Sequence, residues 1–317
     1  MSAIEHEAGG RVVSNQGVLD FSHLHSPDEL ASIERIENVG AVIVPESLAT
    51  AYARIPTGHV GSTIFVPDDS RPKVHVGQVL AGGDGLGTEE DVVVVIGMLV
   101  ITSPVTEPLP RQIHAVGAVL APEGSEAVLG PRLASTSGSV HYYPYVQGQH
   151  ARVMSGQVTL EGSTLANRGG TAGDILIGAG QVVIASPATE VGFRQIVASG
   201  QLLAPVQSRG ILEPKLEVQG QVSWYRGDEV RLFMEDTTLG PDYFRLLDRT
   251  VSLAVFAHLA LTGPISEDVL RQKLKDIILF GNITAPAELI PLLQVLARDS
   301  FGSIRAAEEP IWDATGS

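Results

Sequence analysis

Apolar and polar residues alternate along this chain in short runs, and the runs return about every twenty residues, each opening on a glycine. The anchors are Gly40, Gly61, Gly77, Gly97, Gly117, Gly138, Gly156, Gly180, Gly200, Gly220, Gly281 and Gly302. Two positions on, the series runs from Val42 through Leu99, Val119 and Leu202 to Ile304; four positions on, from Val44 through Ile101, Tyr142 and Trp224 to Ala306. Alternation puts both columns on one strand face, so the pattern predicts strands that start just after each glycine and bury both columns. Glycine at strand entry permits a positive φ or a close approach to the coil below. The fold expected is a repeat solenoid, mainly a parallel β-solenoid with about 20 residues per coil, its strands about 4.8 Å apart.

A longer period lies over the first. Ile36 to Pro45, Ile113 to Pro122, Ile196 to Pro205 and Ile277 to Pro286 repeat one another, and Asp91 to Pro104 matches Asp174 to Pro187 in register. Four coils therefore make one superrepeat of about 80 residues. The organisation expected is a flexible tail over 1–13, one continuous solenoid over 14–306 with superrepeats at 27–103, 104–186, 187–263 and 264–306, and a tail over 307–317. No coil fits residues 226–250.

Helical patterns fall at Asp28 to Glu37, Glu46 to Ile55, Pro241 to Asp248, Ser266 to Ile278 and Pro286 to Leu296, so short helices are expected toward both ends. Strands joined by short helices make the architecture leucine-rich-repeat-like, without the Asn/Cys position of that repeat. The valine-rich, glycine-punctuated coils also resemble those of bactofilins, polymerising bacterial β-helical proteins, whose coils are shorter. No motif aligns residue by residue, and no family follows from either likeness.

Hydrophobic content is 44% against 5% aromatic, which suits a narrow interior of Val, Ile, Leu and Ala. Cysteine is absent, so disulfides and thiolate metal sites are excluded. With no apolar run of membrane length and an acidic N-terminus, the expectation is a cytoplasmic protein without a membrane span. A net charge of −15 disfavours nucleic acid as a partner.

Chemical constellations are few. Gly82 to Gly87 lacks the Lys-Ser/Thr of a phosphate loop and recurs as Asn167 to Asp174, so both read as wide turns. His23 and His25 could begin a metal site but bring no third ligand, and surface histidines are the simpler reading. Asp68, Asp69, Asp228 and Glu229 read as solvated corners. No catalytic, cofactor or metal residue is assigned, and the chain is expected not to be an enzyme; a carbohydrate-active β-helix enzyme is the remote alternative.

The position three after the glycine carries Ile43, Ile64, Leu80, Val100, Leu120, Val183 and Leu203, an outward aliphatic row that wants a cover. The cover is another copy, a different protein or the chain's own helices and loops, unless the coil is flattened with both strand faces partly buried. The interaction residues predicted are Val100, Leu120, Val183 and Leu203, with Tyr143, Tyr145 and Tyr225 as an aromatic hot spot. The function expected is a structural scaffold that self-associates through solenoid faces or ends; the alternative is a binding module for a partner protein or peptide. The N-terminal end of the rod is expected to be blocked by Leu19, Phe21 and Leu24, and the other end by Ala287 to Trp312.

Overall fold

A computed structural model describes residues 11–307. The chain divides into two compact units, Met1–Gln147 and Gly148–Ser317. Parallel β-sheet predominates in both.

The first unit opens with β1 (Arg11–Asp20), β2 (Ile33–Pro45) and β3 (Thr57–Val66), paired in that order. A second sheet holds β4 (Lys73–Ala81), β5 (Val92–Ile101) and β6 (Gln112–Pro122), with β7 (Leu133–Thr136) and β8 (Ser139–Tyr143) sharing the far edge of β6. In the second unit β9 (Ala151–Leu160), β10 (Ile175–Ile184), β11 (Gln195–Pro205) and β12 (Leu216–Tyr225) form one sheet. Each later coil there carries two short strands: β13 and β14 (Glu229–Phe233, Thr237–Leu239), β15 and β16 (Val251–Val255, His258–Leu261), β17 and β18 (Leu274–Leu279, Asn282–Ala285), β19 and β20 (Ala297–Ser300, Ser303–Ala306). The odd- and even-numbered members build two sheets.

Within each stack the glycines are in register. Gly77, Gly97 and Gly117 pair in line, as do Gly156, Gly180, Gly200 and Gly220. A Cβ added to Gly97 would sit 2.1 Å from the Gly77 carbonyl oxygen, and one on Gly200 2.2 Å from that of Gly180. The glycine row is thus a line of backbone-to-backbone contact that no side chain fits. From β4 to β12 the anchors that open or continue a long strand take positive φ, whereas in the first sheet the left-handed residue lies two positions earlier, at Asn15, Asn38 and His59. That placement gives His59 a backbone role.

The columns after the glycine fill the stacks. Val42 and Val44 join Leu48 and Tyr52; Leu99, Ile101, Val119 and Ala121 join Leu129; Val182, Ile184, Leu202 and Ala204 join Leu165 and Leu212. Ile283 and Ala285 join Phe244, Leu270, Leu289 and Leu293. Phe65 departs from the rule: it stands on an edge strand and is exposed.

Several expectations need correction. Across the expected superrepeat boundaries after residues 103, 186 and 263 the strands stay paired, β5 with β6, β10 with β11 and β15 with β17. The pairing instead restarts at β4, in a sheet separate from β3, and at β13, in a sheet separate from β12. Residues 11–13 are strand, so the N-terminal tail does not reach them; residues 1–10 and 308–317, with Trp312, lie outside the described residues. Ala307 is bonded to Ala285 through its N–H at 2.8 Å. Leu19 and Phe21 are buried and Leu24 partly so, yet as part of a further coil whose anchor is Gly17, not as a plug. Helix over Asp28 to Glu37 stops at Leu30, where strand takes over at Ile33, and that over Ser266 to Ile278 gives way to β17. Short helices also occur in the middle, at Glu126–Leu129 and Arg209–Leu212.

Residues 226–250 do contain strands, β13 and β14. His258 N–H donates to Asp236 Oδ1 at 3.0 Å, and β13 and β14 pair β15 and β16. In this register Glu235 takes the anchor place, in line with Ala257 and Gly281, and Asp236 follows it in line with His258 and Asn282.

Candidate interaction surface

The outward row is buried, which overturns the interface placed on it. Val100, Leu120, Val183 and Leu203 are essentially inaccessible. Val183 and Leu203 pack with Ala254 and Ile278 of the next sheet, with Val230 and Leu232 alongside. In the first unit, Ile43 and Ile64 pack in the same way on Val92 and Val94. Parallel sheets commonly bury both faces, and here residues of β5 cover the outer face of β2 and β3, and residues of β15 and β17 that of β10 and β11.

The aromatic hot spot fails for a related reason. Tyr143 and Tyr225 are fully buried, and each phenol reaches back two coils to donate to a backbone carbonyl, Tyr143 to Ile101 at 2.6 Å and Tyr225 to Ile184 at 3.0 Å. Burial pushes both phenols well above their ordinary value. Tyr145 alone is partly accessible. Trp224 lies under the Arg209 guanidinium, 5.8 Å from the ring centre.

The charged corners carry structure. Asp91 accepts from Thr88 N–H at 2.8 Å and pairs with Lys73 at 2.8 Å; Asp174, its counterpart, accepts from Thr171 Oγ1 at 2.6 Å and Thr171 N–H at 2.8 Å. Lys73 first, and Thr88 after it, lowers the Asp91 carboxyl; the Thr171 hydroxyl and N–H hold Asp174 far below the carboxylate range. The Gly-rich loops are therefore turns closed by their own Thr-x-x-Asp. Gly83 N–H donates to Ser103 Oγ at 2.8 Å and Gly162 N–H to Ser186 Oγ at 3.0 Å, the same bond in two matching loops. Asp68 accepts from Ser47 N–H, Asp69 pairs with Arg111, Asp228 accepts from Thr250, and Glu229 pairs with Arg231.

His23 and His25 are exposed in the turn after β1, and no cluster of three metal-ligating side chains occurs among the described residues. His114, which no sequence signal singled out, is buried with Nδ1 2.8 Å from Ser135 Oγ and Nε2 3.3 Å from Gln112 Oε1. Burial lowers its proton affinity. Asp276 is likewise buried against Ser252, and desolvation raises its carboxyl. No described helix is long and apolar enough to cross a membrane.

The most exposed large apolar side chains, Leu246 and Val295, lie at the ends of short helices, and others stand on edge strands. On β4, which pairs only with β5, Val76 is 68% and Leu80 59% exposed. Leu80 belongs to the predicted row, but Val76 does not. Across the last three strand pairs described, Phe256, Phe280 and Phe301 stack at 4.7 and 5.7 Å, and Phe301 is exposed.

No family model, curated protein or solved structure matches the chain.

Proposed function

We propose that the chain is a non-enzymatic scaffold, built of short solenoidal stacks, that self-associates through the edge strands of those stacks. The observation that carries this is the contrast on one row: Val100 and Leu120 are buried while Leu80, one strand earlier at the open edge, stands in solvent beside Val76. An unpaired strand with exposed aliphatics is a template for another chain unless something protects it. The polar corners support the same reading, since their carboxylates and hydroxyls are consumed in turn closure. Sedimentation velocity of the unaltered chain over a concentration series tests it, and a single monomeric species throughout would refute it.

A binding module for another protein is the second reading, favoured by the phenyl ladder that ends on Phe301. A flat, exposed aromatic face at the end of a stack suits an apolar anchor from a partner.

A further inference from the structure

We infer that β4 is a docking edge for a second copy of this chain, the two β4 strands pairing antiparallel about a two-fold axis at Gln78. This rests on the scaffold reading and names its contact. The strand is self-complementary about that residue. Val76 and Leu80 are equidistant from it, so antiparallel pairing sets Val76 of each copy opposite Leu80 of the other and covers the two most exposed aliphatics of the sheet. The same register brings the exposed Arg71 of one copy level with the loop that carries the exposed Asp84 of the other.

The Gln78 amide nitrogen is buried within its own chain. The neighbour of Gln78 on β5 is Met98, and its Nε2 has no hydrogen bond among the described residues. In the second unit the equivalent glutamines meet, Gln181 Nε2 donating to Gln201 Oε1 at 3.0 Å. There is also room for a neighbouring backbone: nothing lies within 4 Å of where a Cβ on Gly77 would sit, whereas Gly97 is closed off by Gly77 itself.

The chain contains its own comparison. β9 is the first strand of the matching stack, and the positions of Val76 and Leu80 relative to the glycine are held there by Ser155 and Thr159, both exposed. At these two places β9 carries polar residues and β4 carries aliphatics. Pairing one nine-residue edge falls at the small end of specific interfaces, so the contact belongs to the weak class, with a dissociation constant on the order of micromolar or above.

Because the chain has no cysteine, single cysteines report the contact. Gln78→Cys on the axis places two thiols within disulfide reach, since opposed antiparallel residues lie about 4.5–5.5 Å apart between Cα atoms. Gln157→Cys, at the matching place on β9, is the control. Under mild oxidation Gln78→Cys should form covalent dimer at least about tenfold faster than Gln157→Cys, and adding Leu80→Lys should remove that advantage. Leu80→Lys without any cysteine should also sediment with weaker self-association at an unchanged circular dichroism spectrum. Equal rates for the two cysteines, in a chain that does self-associate, overturn the β4 contact and leave the scaffold reading standing; a chain that is monomeric throughout overturns both.

Discussion

A Cβ on Gly40 would lie 2.6 Å from the carbonyl oxygen of Gly17, whereas one on Gly17 would meet nothing within 4 Å. Neither residue has a positive φ, so the pair separates close approach from backbone strain. Gly40→Ala must push two coils apart and should cost about 1–3 kcal/mol, in the range of overpacked cores. Gly17→Ala should change stability by no more than about 0.5 kcal/mol. Thermal denaturation of the two variants checks this, and equal losses would mean that the glycine row serves something other than contact between coils.

Leu203→Lys places an ammonium between β11 and the sheet of β13, β15 and β17. An unpaired buried charge costs several kcal/mol, roughly the whole stability of a small unit. The variant should lose its cooperative melt or express as aggregate. A folded Leu203→Lys with normal melting would show the outer face to be open after all.

The two buried tyrosines act as clamps across two coils. Tyr143→Phe leaves the Ile101 carbonyl without its phenol donor and should cost about 1–2 kcal/mol, with Tyr225→Phe similar. In a spectrophotometric titration neither phenol should ionise near pH 10 while the fold persists. Two tyrosines that titrate normally in the native protein would contradict the burial.

His114 predicts an acid-side loss of stability. Its affinity for a proton is lowered in the fold by burial, from an ordinary value of 6.5, so below about pH 6.5 the unfolded chain binds a proton that the fold refuses. Above that pH the residue is neutral in both states and contributes no slope. As pH falls below it, stability should drop by up to about 1.4 kcal/mol per pH unit until the folded form titrates. His114→Gln should flatten the pH dependence of denaturant midpoints below about pH 6.5; an unchanged slope would assign the effect elsewhere. Asp91 and Asp174, with lowered carboxyls, contribute only at lower pH, their stabilisation being lost as pH falls through the carboxylate range, while Asp276, raised by burial, acts in the opposite sense.

Much of the strand layout was legible because its cause is local and repeated. Gly97 recurs as Gly117 and Gly180 as Gly200 for one steric reason, and alternation from Val42 or Leu99 fixes which face is inward. The strand pair at residues 229–239 was not legible, since Glu235 stands at its anchor place and Ala257 at the next, so two successive positions lack the glycine that marks the others. The fate of Val100, Leu120, Val183 and Leu203 was not legible either: alternation tells which residues share a face, and the cover of that face comes from residues far along the chain, as Ala254 and Ile278 cover Val183 and Leu203. Tyr143 and Tyr225 looked like an exposed aromatic group because a phenol that reaches a carbonyl two coils back leaves no trace in spacing. Leu80 stood in the right row, but its exposure follows from the position of β4 at the start of a sheet.

The central claim is self-association, and the most direct measurement is sedimentation velocity of the unaltered chain from about 1 to 200 μM, a range that brackets a weak homodimer. The account predicts a weight-average mass that rises with concentration toward at least twice that of the chain. A constant monomer mass over the whole range would contradict it.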